Sequence, residues 1–295
     1  MRRLIVALFL TALCASFAVA QGQSAPTLRV VTEDPSLPSE LFYGDTRVKP
    51  VRLRPGTNTR ITIDDNDFFV QQQYIDFLSR FPEPEGFNAW MRVLNNCNGD
   101  ANCLGGVNGA RVLVSKSFFE AQEFQIKGYL VYRYYKASLG RLPTYPEIVA
   151  GMRSVTGATE AEVIAKREAF ASGWVSRADF AAKYPAGMSA ADFVNSVLQT
   201  AGVTVPNKDQ LIAELSANNT AAGRASVLKK IVESPAVNAR EYDPAYVAMQ
   251  YYGYLRREPE TEGYNAWLTY LRANPGDYKT MVWGFVYSSE YRNRH

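Results

Sequence analysis

The chain predicts an all-α fold made of tandem units of about three helices, preceded by an extended arm with a short β-hairpin. Three observations carry this. From Asn66 onward, apolar side chains recur at three- and four-residue intervals, the spacing of one helix face. The stretch Arg80 to Trp90, RFPEPEGFNAW, returns as Arg257 to Trp267, REPETEGYNAW, at a constant offset of 177 residues. Around these, residues 68–94 and 245–271 align without a gap and agree at roughly half their positions, the signature of an internal repeat.

The N-terminus reads MRRLIVALFLTALCASFAVAQGQSAP. Arg2 and Arg3 precede an apolar run from Leu4, and Ala18-Val19-Ala20 closes it. This is the pattern of a secretory signal peptide over residues 1–20, cleaved after Ala20. A retained anchor is the alternative, since the run is just long enough to span a bilayer. Cys14 does not read as a lipoprotein site, because Leu13 stands where such sites want a small residue. No second apolar run of spanning length follows, so no transmembrane segment is expected after cleavage. An exported location is the expectation: secreted, cell surface or periplasm.

Residues 21–65 are rich in Pro, Thr and Val. Arg52-Leu-Arg-Pro-Gly-Thr and Thr59-Arg-Ile-Thr-Ile alternate polar and apolar side chains around a Pro-Gly turn signal, which reads as a hairpin or an extended arm. The segment is too short for a sandwich domain and reads as a linker with some strand.

Helices begin at Asn66 or Asp67, either of which can cap a helix start. Val70, Tyr74, Phe77, Leu78 and Phe81 form the stripe of the first helix, and Pro82 stops it. Glu83 and Glu85 open the second, where the helix dipole favours negative charge. Phe87, Trp90 and Leu94 form its buried face. The C-terminal copy uses the same grammar. Asp243 caps, Pro244 takes the first helical position, Val247, Tyr251, Tyr254 and Leu255 make the stripe, and Pro259 breaks it. Glu260 and Glu262 open the next helix, and Tyr264, Trp267 and Leu271 form its face. A closing element ends each copy, FFEAQEF at Phe124 and FVYSSEY at Tyr291.

Cys97 and Cys103 lie in an insertion between the second and third helices of the first copy. An oxidising compartment makes such a pair a disulfide. A zinc site is poorly supported by two cysteines when His295 is the sole histidine. Redox dithiols prefer C-x-x-C spacing. The middle of the chain holds weaker copies. Arg141 and Pro143 keep the corner, Asp179-Phe180 replaces Glu-Phe, and a further unit opens at Asp192. The units are placed at about 66–125, 128–182, 192–238 and 243–292.

The corner motif stands at Arg80, Pro82, Glu83, Glu85, Gly86 and Trp90, and again at Arg257, Pro259, Glu260, Glu262, Gly263 and Trp267. With the closing Ser288, Glu290 and Tyr291, it resembles the bacterial family catalogued as domain of unknown function 4214. The resemblance covers the helical part of the chain, and its middle copies are degenerate. It implies a helical module of exported or cell-surface proteins, and it implies no reaction.

Chemistry is sparse. His295 is terminal and alone, and no Gly-rich phosphate loop, H-E-x-x-H or G-x-S-x-G occurs. A carbohydrate-active enzyme could pair Glu83 with Glu85, or Glu260 with Glu262, but such enzymes need one carboxyl of raised pKa across a cleft. Solvated helix starts are the wrong place for that. The run Asp64 to Asp67, DDND, lacks the Gly and distant Glu of a calcium loop and reads as a turn plus a cap. No metal or cofactor is expected. Net charge is +3, falling to +1 without Arg2 and Arg3, with no basic run to bind nucleic acid. Trp90 and Trp267 read as core anchors. Tyr132, Tyr134 and Tyr135, with Tyr251, Tyr252 and Tyr254, occupy more than one helix face. They are either a binding surface or packed core. The expectation is an exported, non-catalytic interaction or structural module. Its partner would be an envelope component, a polysaccharide or another surface protein.

Overall fold

The computed structural model describes residues 28–31, 40–49 and 51–295. The proposed leader and the remainder of the arm lie outside the described residues. The arm holds more strand than expected. β1 (Leu28–Val31) pairs antiparallel with β2 (Glu40–Tyr43), and β3 (Thr46–Val48) flanks β2 on its other side. Gly44 at φ 60° turns β2 into β3. The expected hairpin is present: β4 (Arg52–Leu53) pairs with β5 (Arg60–Ile61) across the Pro55-Gly56 turn. It rests on the helices, since Ile63 is buried and the Arg52 guanidinium lies 4.8 Å from the Phe68 ring centre.

Everything beyond is helical. The first unit holds α1 (Asn66–Leu78), α2 (Pro84–Asn95), the short α3 (Ala101–Leu104) and α4 (Ala110–Glu120). α5 (Gln122–Phe124) passes through a π-helical turn (Gln125–Tyr129) into α6 (Leu130–Tyr134), and a second π turn (Tyr135–Leu139) ends this run at Gly140. Helix therefore continues across the expected boundary near residues 125–128. α7 (Tyr145–Ser154), α8 (Glu160–Trp174) and α9 (Ala178–Lys183) follow. Then come α10 (Ala190–Ala201), α11 (Lys208–Ala217) and α12 (Ala221–Val232). α13 (Pro235–Gln250) ends in a third π turn (Tyr251–Leu255), and α14 (Thr261–Ala273), α15 (Tyr278–Val286) and α16 (Ser289–Arg294) complete the chain.

Two helix starts differ from expectation. Asp65, not Asn66 or Asp67, is the N-cap of α1, and its carboxylate accepts from the Thr62 amide and Arg54 instead of from the helix. In the last copy Asp243 does not cap and Pro244 lies inside α13. Ser234-Pro235 supplies a stronger start nine residues earlier. The Ser234 hydroxyl accepts from the Val237 amide, and Pro235 sits where a missing N–H costs nothing. Extension from a formed helix then outweighs the break at Pro244.

The core is one continuous hydrophobic cluster rich in aromatic rings. The outer units, far apart in sequence, meet inside it. α1 packs on the Tyr251–Leu255 turn and α4 packs on α15. Phe77 and Tyr254, equivalent under the 177-residue offset, meet edge to face at 5.0 Å. Contact between equivalent positions is what a two-fold relation between two copies produces.

Candidate functional site

The corner residues come together as the motif requires. In each outer copy, a left-handed residue ends the first helix, Ser79 at φ 54° and Arg256 at φ 51°. The next residue is the motif arginine. Arg80 lies over the Tyr74 ring at 5.0 Å and joins Glu83 to Glu123. Arg257 lies over the Tyr251 ring at 5.3 Å and joins Glu260 to Glu290. One guanidinium thus ties the helix end, the next helix start and the closing element. Glu83 and Glu260 are the N-caps of α2 and α14, and Glu85 and Glu262 lie in their first turns.

The middle copy repeats this with altered parts. Gly140 takes the left-handed position at φ 76°, and Arg141 lies over Tyr135 at 4.9 Å. Arg141 donates two bonds to Glu147 at 2.7 and 2.8 Å and one to Asp179 at 3.2 Å. Thr144 caps α7 in a capping box with Glu147. In the remaining unit Gly202 turns the chain at φ 63°, and the next residue is Val203, so no arginine clasp forms there.

Glu123, Glu147, Asp179 and Glu260 are held charged. Hydrogen bonds from Arg141 bring the Glu147 pKa down to about 2, and Arg257 lowers that of Glu260. Burial opposes charge on Glu123, but hydrogen bonds from Arg80 and Lys127 outweigh it and its pKa also falls. The motif glycines admit the ring below them. A Cβ at Gly86 would fall on the Tyr74 hydroxyl, and one at Gly263 on the Tyr251 hydroxyl. Trp90 and Trp267 are half-buried lids at the core edge rather than interior anchors. Their rings lie 5.6 Å from Phe118 and 5.9 Å from Phe285. Phe81 is exposed, because the chain has already turned out of α1.

The six tyrosines offered as a binding surface are all buried, at 3% exposure or less. Their helical runs are packed on every side, so no face is left for solvent. Tyr252 donates to the Pro143 carbonyl at 2.6 Å, Tyr132 donates to Glu241 at 3.2 Å, and Tyr254 bonds the Ser115 hydroxyl. Tyr134 and Tyr135 pack on Trp174. Glu241, which no sequence signal marked, is the buried partner of Tyr132, and burial raises its pKa.

Cys97 and Cys103 are bonded, with sulfurs 2.01 Å apart. Their loop forms one wall of a cleft of about 730 Å3. The opposite wall is the Asp64–Asp67 run. Arg54 holds Asp65 and Asp67 at 2.7–2.9 Å, while Arg111 and Arg292 hold Asp64. Hydrogen bonds from Arg292 lower the Asp64 pKa and those from Arg54 lower that of Asp67. Met91, Leu104 and Tyr287 supply the apolar lining. Sequence reasoning took the acidic run as a turn and a cap and missed its partners. Arg111 sits in the first turn of α4 with no local signal, and Tyr287 comes from the other end of the chain.

A helix-corner module with arginine-clasped closing elements is the class of protein this geometry defines. Residues 220–295 match the family model described as Domain of unknown function (DUF4214). That segment contains the second corner motif. Comparison with the curated proteins and with the solved structures finds no significant match. Among the described residues, no helix is long and apolar enough to cross a membrane.

Proposed function

We propose that the chain is an exported, non-catalytic module that attaches to an envelope component, a surface polysaccharide or another surface protein. The observation that carries this is the commitment of the motif acids. Glu83, Glu123, Glu147, Asp179, Glu260 and Glu290 all pair with arginines that link one helix to the next. A general acid of the glycosidase type needs a raised pKa in an open cleft. Glu123, Glu147, Asp179 and Glu260 are displaced the other way. Glu241 has a raised pKa, but it is 6% exposed in the packing between α6 and α13. Export is supported by the leader-like N-terminus and the Cys97–Cys103 bond.

The test is co-sedimentation of residues 21–295 with cell envelopes and with insoluble polysaccharides. Saturable, salt-resistant binding is the expected result. Failure to sediment with any fraction removes envelope and polysaccharide attachment, leaving the protein-partner role to be sought by cross-linking in cells.

A further inference from the structure

The cleft between the disulfide loop and the Asp64–Asp67 turn has the features of a built site. Its polar wall is fixed before any ligand arrives. Arg111 is only 8% exposed and ties α4 to this turn through Asp64, and its Nε is buried without a partner. Arg54 grips Asp67 with two parallel bonds, the geometry in which a guanidinium orients a carboxylate most firmly. The facing wall is closed by the Cys97–Cys103 bond. Little ordering cost is left for binding.

The charge balance selects the ligand class. Asp64, Asp65 and Asp67 face Arg54, Arg111 and Arg292 in mutual pairs, three carboxylates against three guanidiniums. An anion or a metal ion would have to break those pairs to enter. Hydroxyl groups would not. A carboxylate oxygen has about two acceptor positions, so oxygens already bonded to arginine keep capacity on their open side. Asp64 and Asp67 stay 47% and 40% exposed at the side chain. The same cleft is lined by the partly buried Tyr287 and Met91 and by the buried Leu104, an apolar surface with an aromatic plane, one face of which carries the Arg292 guanidinium at 6.0 Å. A ligand with hydroxyls along one edge, an apolar C–H face on the other and no net charge matches both walls.

We propose that this cleft binds an uncharged saccharide of a few rings, with Asp64 and Asp67 accepting from its hydroxyls and Tyr287 against its C–H face. A volume of about 730 Å3 lies within the range of small-ligand sites. The assignment rests on the reading of the chain as an attachment module and names the surface that attaches.

The experiment titrates the protein with linear gluco-, xylo-, manno- and galacto-hexaoses, following the Met91 methyl resonance. One hexaose is expected to shift it saturably. Two variants test the location. Tyr287→Ala removes the aromatic plane. Ala101→Trp fills the cleft from an exposed lining position and leaves the core untouched. Each is expected to weaken binding tenfold or more. The cleft assignment is overturned if no hexaose moves Met91, or if Ala101→Trp binds as the unaltered protein does. Co-sedimentation with envelopes runs in parallel. Sedimentation without hexaose binding removes the cleft and keeps attachment. Hexaose binding without sedimentation keeps the cleft for free oligosaccharides and removes envelope attachment.

Discussion

Gly263 shows how one residue type is dictated by a neighbour. The Tyr251 hydroxyl and the Glu260 carboxylate reach over the start of α14 and occupy the space a Cβ would need. Gly263→Ala is expected to cost about 1–3 kcal/mol through overpacking, measured by urea unfolding. Tyr251→Phe removes one of the two obstructing oxygens and leaves that of Glu260, so the double variant should recover part of that loss; simple additivity would contradict the contact. Glu147 makes a second case. Its folded pKa of about 2 lies below the ordinary carboxylate value, so its contribution is present above about pH 4 and is lost as pH falls towards 2. Glu147→Gln should therefore lower stability at pH 6 by on the order of 1 kcal/mol, given the partial exposure of the pair. The gap should close between about pH 5 and pH 2. A gap unchanged over that range would place the effect outside the ion pair.

Among elements, α13 is where local rules compete. Two start signals stand in one helix, Ser234-Pro235 and Asp243-Pro244, and the first wins because its hydroxyl reaches the Val237 amide. Pro244 is left inside the helix, where it withholds a backbone donor from the preceding turn. Its carbonyl still accepts from the Tyr264 hydroxyl at 3.2 Å, and an alanine would keep that bond. Pro244→Ala is therefore expected to raise stability by about 1–2 kcal/mol, the removed break outweighing the looser unfolded chain. A lower urea midpoint in this variant would show that the proline shapes a bend the packing requires.

At the scale of the whole molecule, the first and last units are fastened through Asp76. Its side chain is fully buried on α1 and meets Arg256 at 3.4 Å, Arg294 at 3.5 Å and the Tyr291 hydroxyl at 3.2 Å. The Arg294 guanidinium also donates to the Tyr254 carbonyl. Removing one member of a buried ionic group leaves the others charged and unpaired, which costs about 3–5 kcal/mol. Asp76→Ala should lose stability on that scale, and calorimetry should show the outer units still melting as one transition. A mild loss would mean that the aromatic contacts around Phe77 and Tyr254 hold the units together without the ionic group.

The helical class, the repeated corner and the disulfide pair follow from order along the chain. Pro82 and Pro259 bar the helices from resuming after left-handed Ser79 and Arg256 end them, Glu85 and Glu262 suit the helix dipole, and Cys97 and Cys103 are close enough to meet. Such effects act within about one turn or loop, so one sequence suffices to read them. The middle corner was legible too, because Arg141 and Asp179 kept their places while Gly and Trp did not. Burial was less legible. Tyr132 to Tyr135 occupy several helix faces, and only the packing of neighbours decides whether a face meets solvent. The same holds for Trp90, whose spacing suits a core but whose ring closes the core's edge. The cleft was out of reach altogether. Arg54, Asp64, Arg111 and Tyr287 meet there from distant parts of the chain, and Arg111 and Tyr287 carry no pattern that points to it. Local backbone preferences settled the elements; the encounter of the outer units settled which side chains face one another, because that depends on packing across long sequence separations.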